Sequence, residues 1–498
     1  MNSIDYSCKK SMRSTFDIKS VIKILGQLLA VEAVMTLAPL GVSLLYGESD
    51  WKAFGVSSCI AAIASTPLLL LTRHVKTVVR MREGFVITAF IWIVYGLFGM
   101  IPFILGSSHL GFTDAFFETI SGFTTTGMSV ISDVSSQSHG ILFWRALTQW
   151  IGGLGIILFL LAIIPELNRS DGLLMFNAET SGFTIEKLHP RIRQTVLSLW
   201  GVYIVVTVIS IILLWLGPMD LFDSVCQTFA AIATGGFSTH NEGVSYWHSN
   251  YVLGVLTGVM FAGGINFMVL YAAWKKGLGV ILGNEVTRIF IFTVFLTYLL
   301  FLISALFRGE EPGIDNYLFF PLFHVVSAIS STGFTIVEAE NWGPFALFLT
   351  ILLMLCGSCA GSTAGGIKID RLIVLGRNLK NEIKRCIYPK RVYVVNLNGS
   401  FLQNSLITRV SAFVSLYMLV VLAITGVIAF HGYSFTDSLF MVCSSMGCNG
   451  LGYGATGING SFAALPGLVK WVLTLGMLIG RLELFTFIVL FLPSFWRR

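Results

Sequence analysis

One semi-polar segment occurs four times in the chain, and each copy stands between long apolar runs. The copies cover residues 114–127, 223–236, 320–333 and 437–450, and first and last positions are always 13 apart (127 − 114). Three copies begin with aspartate and all four end with glycine, whereas the third begins with Phe320 followed by Pro321. Repetition at matched spacing indicates one structural unit used four times, which restricts the folds open to this chain.

The composition indicates a polytopic membrane protein. Of 498 residues, 55% are hydrophobic and only 12% are charged, about half of the charged fraction that is usual in soluble proteins. The eight cysteines are scattered, and Cys356 and Cys359 have neither a second pair nor a nearby histidine to complete a zinc site. The net charge of +6 comes from bases in the loops between apolar segments, which favours a basic cytosolic face over nucleic-acid binding.

Ten apolar segments reach or exceed the length of about 20 residues that crosses the hydrocarbon core. They cover residues 21–46, 51–71, 84–105, 139–164, 195–216, 250–274, 288–307, 343–373, 405–430 and 465–492. The predicted fold is all-α: two N-terminal transmembrane helices, then four parallel repeats of helix, re-entrant pore helix and helix in pseudo-four-fold arrangement around one pore. The predicted units are residues 1–72 (extension), 83–166, 192–274, 284–381 (with a broken second helix) and 404–494.

Lysine and arginine cluster in the loops before the first span, between spans two and three, and after each repeat. All of these loops fall on one side of a ten-span topology, so the positive-inside rule places both termini in the cytosol. The four repeated segments then open from the outside in the same orientation, unlike the inverted repeats of many secondary carriers.

Each copy is expected to form a short helix that ends at a common centre. Asp114, Asp223 and Asp437 are predicted to cap the helix starts, and Pro321 is predicted to stand at the first helical position of copy three. An extended, glycine-ended stretch follows each helix, and carbonyl rings built from such stretches can replace the hydration shell of potassium. The predicted ion-binding residues are Thr125, Thr126 and Gly127, Thr234, Gly235 and Gly236, Ser331, Thr332 and Gly333, and Cys448, Asn449 and Gly450. The alternative is four tight turns between packed helices.

The sequence resembles the TrkH-type potassium-transport subunits of the Trk/Ktr/HKT superfamily. The four segments carry the resemblance together with four glycine-containing motifs at residues 149–155, 261–266, 357–366 and 480–486. The resemblance covers nearly the whole chain. Two positions depart from the pattern, since Gly235 replaces the threonine found in copies one and three, and copy four has Cys448 and Asn449 before its glycine.

Residues 357–366 are too rich in glycine for a continuous helix, although a small-residue packing face is an alternative. The resemblance implies an intramembrane gating loop below the filter, with Lys368 following it and Arg481 facing the pore as an electrostatic barrier. The predicted gate residues are Gly357, Ser358, Cys359, Ala360, Gly361, Ser362, Thr363, Ala364, Gly365, Gly366, Lys368 and Arg481. An Arg481–Glu483 pair that holds the bundle together is the alternative for the arginine. Polar residues inside the spans are interpreted as supports for the pore helices: Glu118, Arg145, Gln149, Gln227 and Asn266.

No nucleotide-binding loop or phosphorylation motif is found, so the chain is predicted not to be an enzyme and to use the ion gradient. The predicted function is potassium uptake across the bacterial cytoplasmic (inner) membrane, with potassium bound in the filter. Symport with protons or sodium stays open, with Glu32 and Glu285 as candidate coupling acids. The resemblance further implies a homodimer gated by cytosolic TrkA-like subunits that bind nucleotide or NAD.

Overall fold

The computed structural model describes residues 16–75, 81–155, 192–307, 314–336, 343–457, 461–482 and 484–496. The described part is helical apart from loops and one two-stranded antiparallel hairpin, β1 (Asn396–Leu397) and β2 (Ser400–Phe401). The first helices are α1 (Ile18–Met35), α2 (Leu37–Leu45), α3 (Trp51–Leu71), α4 (Met81–Gly99), α5 (Ile101–Leu105), α6 (Phe112–Phe123) and α7 (His139–Gly153). The middle of the chain forms α8 (Ile192–Trp215), α9 (Leu221–Ile232), α10 (Asn250–Gly264), α11 (Phe267–Lys276) and α12 (Gly279–Gly283).

The remaining helices are α13 (Glu285–Phe307), α14 (Ile314–Ile329), α15 (Gly343–Cys356), α16 (Ile369–Ile387), α17 (Asn404–Phe430), α18 (Phe435–Met446), α19 (Gly467–Arg481), α20 (Leu484–Ile488) and α21 (Pro493–Trp496). The four short helices α6, α9, α14 and α18 each end directly before the glycine-ended stretch of one repeated segment. Their last residues, Phe123, Ile232, Ile329 and Met446, are fully buried, whereas the long helices expose apolar side chains outward. The core of the molecule therefore lies around the short helices.

Within the described residues, six helical segments are long and apolar enough to cross a membrane, or eight if two bent pairs are each one span. The sequence predicts ten. The difference lies in the second helices of the predicted repeats. α7 is described only to its end at Gly153, and the end of the predicted span, up to residue 164, falls outside the described residues. The predicted span 250–274 is two helices, α10 and α11, that meet at an angle of 104°.

The predicted helix caps are wrong. The residues at the N-cap positions are Gly111, Asp220 and Ser434, three residues before the repeated aspartates, and the Asp220 and Ser434 side chains accept the backbone N–H of Asp223 and Asp437. Asp114, Asp223 and Asp437 lie in the first helical turn instead. Pro321 lies inside α14, not at its start.

The repeated aspartates reach other segments from that first turn. Asp114 accepts from Lys470 Nζ at 2.6 Å, and Asp223 accepts from Thr239 Oγ1 at 2.7 Å. Asp437 lies so close to Gly454 that a methyl group there would stand 2.4 Å from its Oδ1. In these three helices the repeated aspartate therefore contacts a segment that follows one of the glycine-ended stretches. The sequence spacing alone does not reveal these contacts.

Candidate functional site

The four stretches that follow the short helices have the same backbone hydrogen bonds. We call residues 124–127, 233–236, 330–333 and 447–450 ring loops 1 to 4. In ring loop 1, Thr125 N–H donates to Gly122 O at 3.0 Å and Thr126 N–H donates to Ser121 O at 2.8 Å. The same two bonds occur in the other three loops. Their N···O distances are 3.1 and 2.8 Å in ring loop 2, 3.3 and 2.9 Å in ring loop 3, and 3.2 and 2.9 Å in ring loop 4. This pair of bonds is the Schellman motif that ends many helices.

Each motif places a residue other than glycine in the left-handed region. The φ angles are 55° at Thr125, 55° at Thr234, 58° at Ser331 and 50° at Cys448. Two residues later, the closing glycines have φ angles between 74° and 82°. A left-handed conformation at a residue with a Cβ costs about 1–3 kcal/mol and persists only where the surroundings enforce it. The stretches are therefore turned, not simply extended as the sequence suggested.

The closing glycines bring the loops together in a closed cycle. A methyl group on Gly127 would lie 2.0 Å from Gly235 O, and one on Gly236 would lie 1.9 Å from Thr332 O. On Gly333 it would lie 1.7 Å from Asn449 O, and on Gly450 it would lie 2.3 Å from Thr126 O. The contacts run from loop 1 to 2, 2 to 3, 3 to 4 and 4 to 1, so the loops form a ring in chain order.

The residue before each closing glycine is held differently in different loops. In loops 1 and 3 the hydroxyls of Thr126 and Thr332 pair with Thr124 and Ser330, at 2.8 and 2.7 Å. In loop 2 the space of that side chain is filled from outside the loop, since a methyl group on Gly235 would lie 2.4 Å from Gln149 Cδ. The side chain that is missing at Gly235 is therefore replaced by Gln149.

Gln149 and Asn449 form hydrogen bonds that restrain ring loops 2 and 4. Gln149 Nε2 donates to Gly235 O at 2.7 Å, and its Oε1 accepts from Phe237 N–H at 3.2 Å. Asn449 Nδ2 in loop 4 donates to Ala328 O at the end of α14, at 2.6 Å. Each of these side chains thereby connects one repeat to its neighbour.

Other buried polar groups stand behind the ring. Glu118 on α6 accepts from Arg145 Nε at 2.8 Å and from Val130 N–H at 2.8 Å, and both members of this ion pair are buried. At the equivalent position of α9, Gln227 Nε2 donates to Ser238 Oγ at 2.9 Å. In α14, His324 Nε2 lies 3.0 Å from Thr350 Oγ1. These groups tie three of the four short helices, α6, α9 and α14, to their surroundings, as the sequence interpretation expected of Glu118, Arg145 and Gln227.

The predicted gate residues lie together against three of the ring loops. We call residues 357–368, between α15 and α16, the intramembrane loop. Gly365 N–H donates to Ser331 Oγ at 3.0 Å, and Thr363 Oγ1 lies 3.3 Å from Thr234 Oγ1. A methyl group on Gly365 would lie 2.9 Å from Cys448 Cβ. The residues with left-handed φ in ring loops 2, 3 and 4 are thus the ones that face this loop.

Backbone bonds and one carboxylate hold the intramembrane loop from its other side. Its N–H groups at Cys359 and Thr363 donate to Gly264 O and Gly263 O, both at 3.2 Å, and its Gly361 O accepts from Phe267 N–H at 3.0 Å. The bend between α10 and α11 falls at these contacts. The buried Asp370 accepts the N–H of Ala360 at 2.6 Å. The sequence analysis did not identify Asp370. The only signal in the sequence was that Asp370 is an acidic residue among the basic residues that follow the loop.

Arg481 joins the intramembrane loop to the end of α7. Its guanidinium donates to Thr363 O at 2.8 Å, to Gly153 O at 2.7 Å and to Gly152 O. Carbonyls at a helix C-terminus carry partial negative charge and lack partners within the helix, which favours a cation there. Lys368 Nζ donates within the loop, to Ala364 O. Glu483, the alternative partner of Arg481, lies outside the described residues.

Comparison with known proteins gives a consistent result. The family model of the TrkH cation transport proteins matches residues 52–277 and 317–498. Trk system potassium uptake protein TrkH of Escherichia coli K12 is 33% identical over 485 residues, which is 96% of this chain and 99% of the relative. TrkH of Vibrio parahaemolyticus is 34% identical over 487 residues, with 96% and 99% covered. The crystal structure of the potassium transporter TrkH from Vibrio parahaemolyticus superposes with a TM-score of 0.87 at 31% identity, covering 97% of this chain and 100% of that one. The chain therefore belongs to the TrkH family of cation transport proteins.

Proposed function

We propose that this chain takes up potassium across the bacterial cytoplasmic membrane through the axis enclosed by the four ring loops. The observation that carries the proposal is the closed cycle of glycine–carbonyl contacts between four loops that share the same backbone hydrogen bonds and similar φ angles. The E. coli and V. parahaemolyticus relatives are potassium uptake proteins by name, which supports potassium as the ion. In this proposal residues 83–166, 192–274, 284–381 and 404–494 are four parallel repeats around one pore, and both termini are cytosolic.

The proposed selectivity rests on backbone carbonyls held at fixed positions. Carbonyl rings can replace the hydration shell of a potassium ion when their number and spacing suit it. Here the left-handed residues and closing glycines determine where the carbonyls of residues 125–127 and their equivalents stand. Gln149 and Asn449 restrain loops 2 and 4, where the hydroxyl pairs of loops 1 and 3 are missing.

We propose that the intramembrane loop is the gate. It lies against ring loops 2, 3 and 4, and Arg481 connects it to the opposite side of the bundle at Gly152 and Gly153. A cation at this place opposes the passage of another cation. Opening requires the loop to leave these contacts, and the proposed trigger is a cytosolic TrkA-like nucleotide-binding partner acting on a homodimer of this chain.

Gly127→Ser tests the ring directly. A side chain there meets Gly235 O and has to adopt a φ of 82°, so the ring has to deform. With the purified chain in lipid vesicles, we expect reversal potentials to show about tenfold less discrimination of potassium over sodium, equivalent to about 1.4 kcal/mol. Gly254→Ser is the matched control, since nothing lies within 4 Å of its added Cβ.

Two results would count against the proposal. Unchanged selectivity in Gly127→Ser would remove the ring loops as the selective element. A reversal potential of the unmodified chain that follows a proton or sodium gradient as well as potassium would show coupled symport in place of channel-like uptake.

A further inference from the structure

Glu32 is a buried acid in the first membrane-spanning segment that the proposed uptake path does not use. Its side chain is 1% exposed, and among the described residues neither carboxyl oxygen has a hydrogen-bond partner. An ionisable residue inside a membrane span is costly to keep and is a functional-site candidate by default. Glu32 therefore needs a physical explanation.

The carboxyl group lies where three helices meet. A methyl group on Gly99, at the end of α4, would lie 3.2 Å from Glu32 Oε1, 3.0 Å from Thr119 Cγ2 and 2.9 Å from the Phe123 ring. Thr119 and Phe123 belong to the last turns of α6, and Phe123 directly precedes ring loop 1. Glu32 thus reaches from the N-terminal helix pair to the helix that ends at the ring.

The hydrogen-bond donors around Glu32 are committed to other acceptors. Thr119 Oγ1 donates to Ala115 O at 2.6 Å, and Tyr95 Oη donates to Leu28 O at 3.3 Å. Trp144 Nε1 donates to Gly99 O at 3.0 Å, and Ser58 Oγ donates to Ala33 O at 2.8 Å. An ionised carboxylate in an apolar site without donors or a counter-charge costs several kcal/mol, which the neutral acid avoids.

No counter-charge faces Glu32 from the described parts of the surrounding helices. Tyr95 of α4 is the titratable group beside it. α2 carries no titratable side chain, and Arg82 and Glu83 stand at the far end of α4, roughly 24 Å along the helix from Gly99. The charged or titratable groups on α3, α6 and α7 are exposed or engaged elsewhere: Lys52, Cys59, Asp114, Glu118, His139 and Arg145.

We propose that Glu32 is a proton-binding site that couples the N-terminal helix pair to ring loop 1. With its proton bound, the neutral acid packs against Gly99 and the end of α6. Loss of the proton creates a charge that needs water or a donor, and admitting either separates α1 from α4 and α6. The effect on ion flux rests on the proposed function, whereas the proton occupancy does not.

Infrared difference spectroscopy on the full chain in lipid vesicles tests the proton occupancy. At neutral pH the wild type minus Glu32→Gln spectrum should contain the C=O stretch of a protonated carboxyl group, and Glu32→Leu should give the same band while keeping an apolar packing surface. Asp114→Asn is the matched control, because Asp114 is paired with Lys470 and should contribute carboxylate bands only. Carboxylate bands at Glu32 would overturn the proposal.

The coupling is tested by potassium flux as a function of pH, with each protein normalised to its own value at neutral pH. Wild-type flux should fall at alkaline pH together with the protonated band, and both Glu32 variants should lack that fall. Identical profiles for all three proteins would overturn the coupling. Flux that is absent at every pH from both the wild type and the Arg481→Met variant contradicts the proposed uptake function, and the infrared result still decides the proton site.

Discussion

Three of the four non-glycine residues with left-handed φ in the ring loops, Thr234, Ser331 and Cys448, face the intramembrane loop. Ser331 accepts the N–H of Gly365 at 3.0 Å, and Thr234 pairs with Thr363 at 3.3 Å. Glycine would relieve the backbone strain at these positions but would remove those contacts. Strain is therefore retained where a side chain connects a ring loop to the chain beneath it.

Gln149 is the residue whose removal should disturb the ring most selectively. In Gln149→Met the buried Phe237 N–H and Gly235 C=O lose the side chain to which they are hydrogen-bonded, and each unsatisfied group costs about 1–3 kcal/mol. We expect a lower thermal unfolding temperature in detergent and weaker discrimination of potassium over sodium in vesicles. Gln403→Met, at an exposed position before α17, is the control. If Gln149→Met has the unfolding temperature and the selectivity of the wild type, ring loop 2 keeps its conformation without this side chain.

At the scale of elements, the second helices of the repeats pack closely onto the short helices through glycine. A methyl group on Gly152 of α7 would lie 1.9 Å from Phe123 O, and one on Gly480 of α19 would lie 2.2 Å from Met446 O. The third of these helices, α15, ends at Cys356, and the intramembrane loop that follows it lies against the ring loops.

Arg481→Met should raise potassium flux in the absence of any partner protein. The substitution keeps most of the side-chain length but removes the charge and the bonds to Thr363 O, Gly152 O and Gly153 O. The intramembrane loop then loses its connection to α7, and the proposed electrostatic barrier is removed. Flux into vesicles with and without a membrane potential measures the effect.

Lys470→Met is a useful comparison for this experiment, because it removes a buried cation from the same helix away from the intramembrane loop. Flux that rises equally in both variants would indicate general loosening of α19. Flux that stays at the wild-type level in Arg481→Met would contradict the barrier role.

At the scale of the whole molecule, the ring is closed by contacts between the last repeat and the first. Lys470 on α19 donates to Asp114 on α6 at 2.6 Å, although the two residues are 356 positions apart. The N-terminal pair meets the first repeat, where Asp50 accepts from Ser107 N–H at 3.1 Å and Glu48 pairs with His139 at 2.7 Å. The first predicted repeat thus contacts both the N-terminal helix pair and α19 near the end of the chain.

A double-mutant cycle on Asp114→Asn and Lys470→Met measures that closure. Lys470 is only 6% exposed and Asp114 is 33% exposed, so we expect a coupling free energy of about 1–3 kcal/mol from unfolding in detergent. The exposed pair Glu382–Arg385, at 50% and 41%, is the control and should give about 0–0.5 kcal/mol. Equal coupling free energies in the two pairs would mean that Asp114–Lys470 stabilises the closed ring no more than an exposed surface pair does.

The sequence by itself determined the class of the molecule and the register of its repeats. Composition and apolar run lengths indicated a membrane protein. The separation of 13 residues aligned four glycines that have similar positive φ angles in the structure. These properties are local: hydrophobic length, helix-ending glycine and the spacing between them do not depend on distant parts of the chain.

Only the tertiary structure decided which distant groups meet. The repeated aspartates proved to bind chain beyond the ring loops instead of capping helices, Gln149 fills the space of the side chain missing at Gly235, and Asp370 anchors the intramembrane loop. Apolar length also does not reveal the bend between α10 and α11 inside one predicted span. A buried polar group is satisfied by whichever partner packing brings within reach, and that partner is set by the whole fold rather than by neighbours in the sequence.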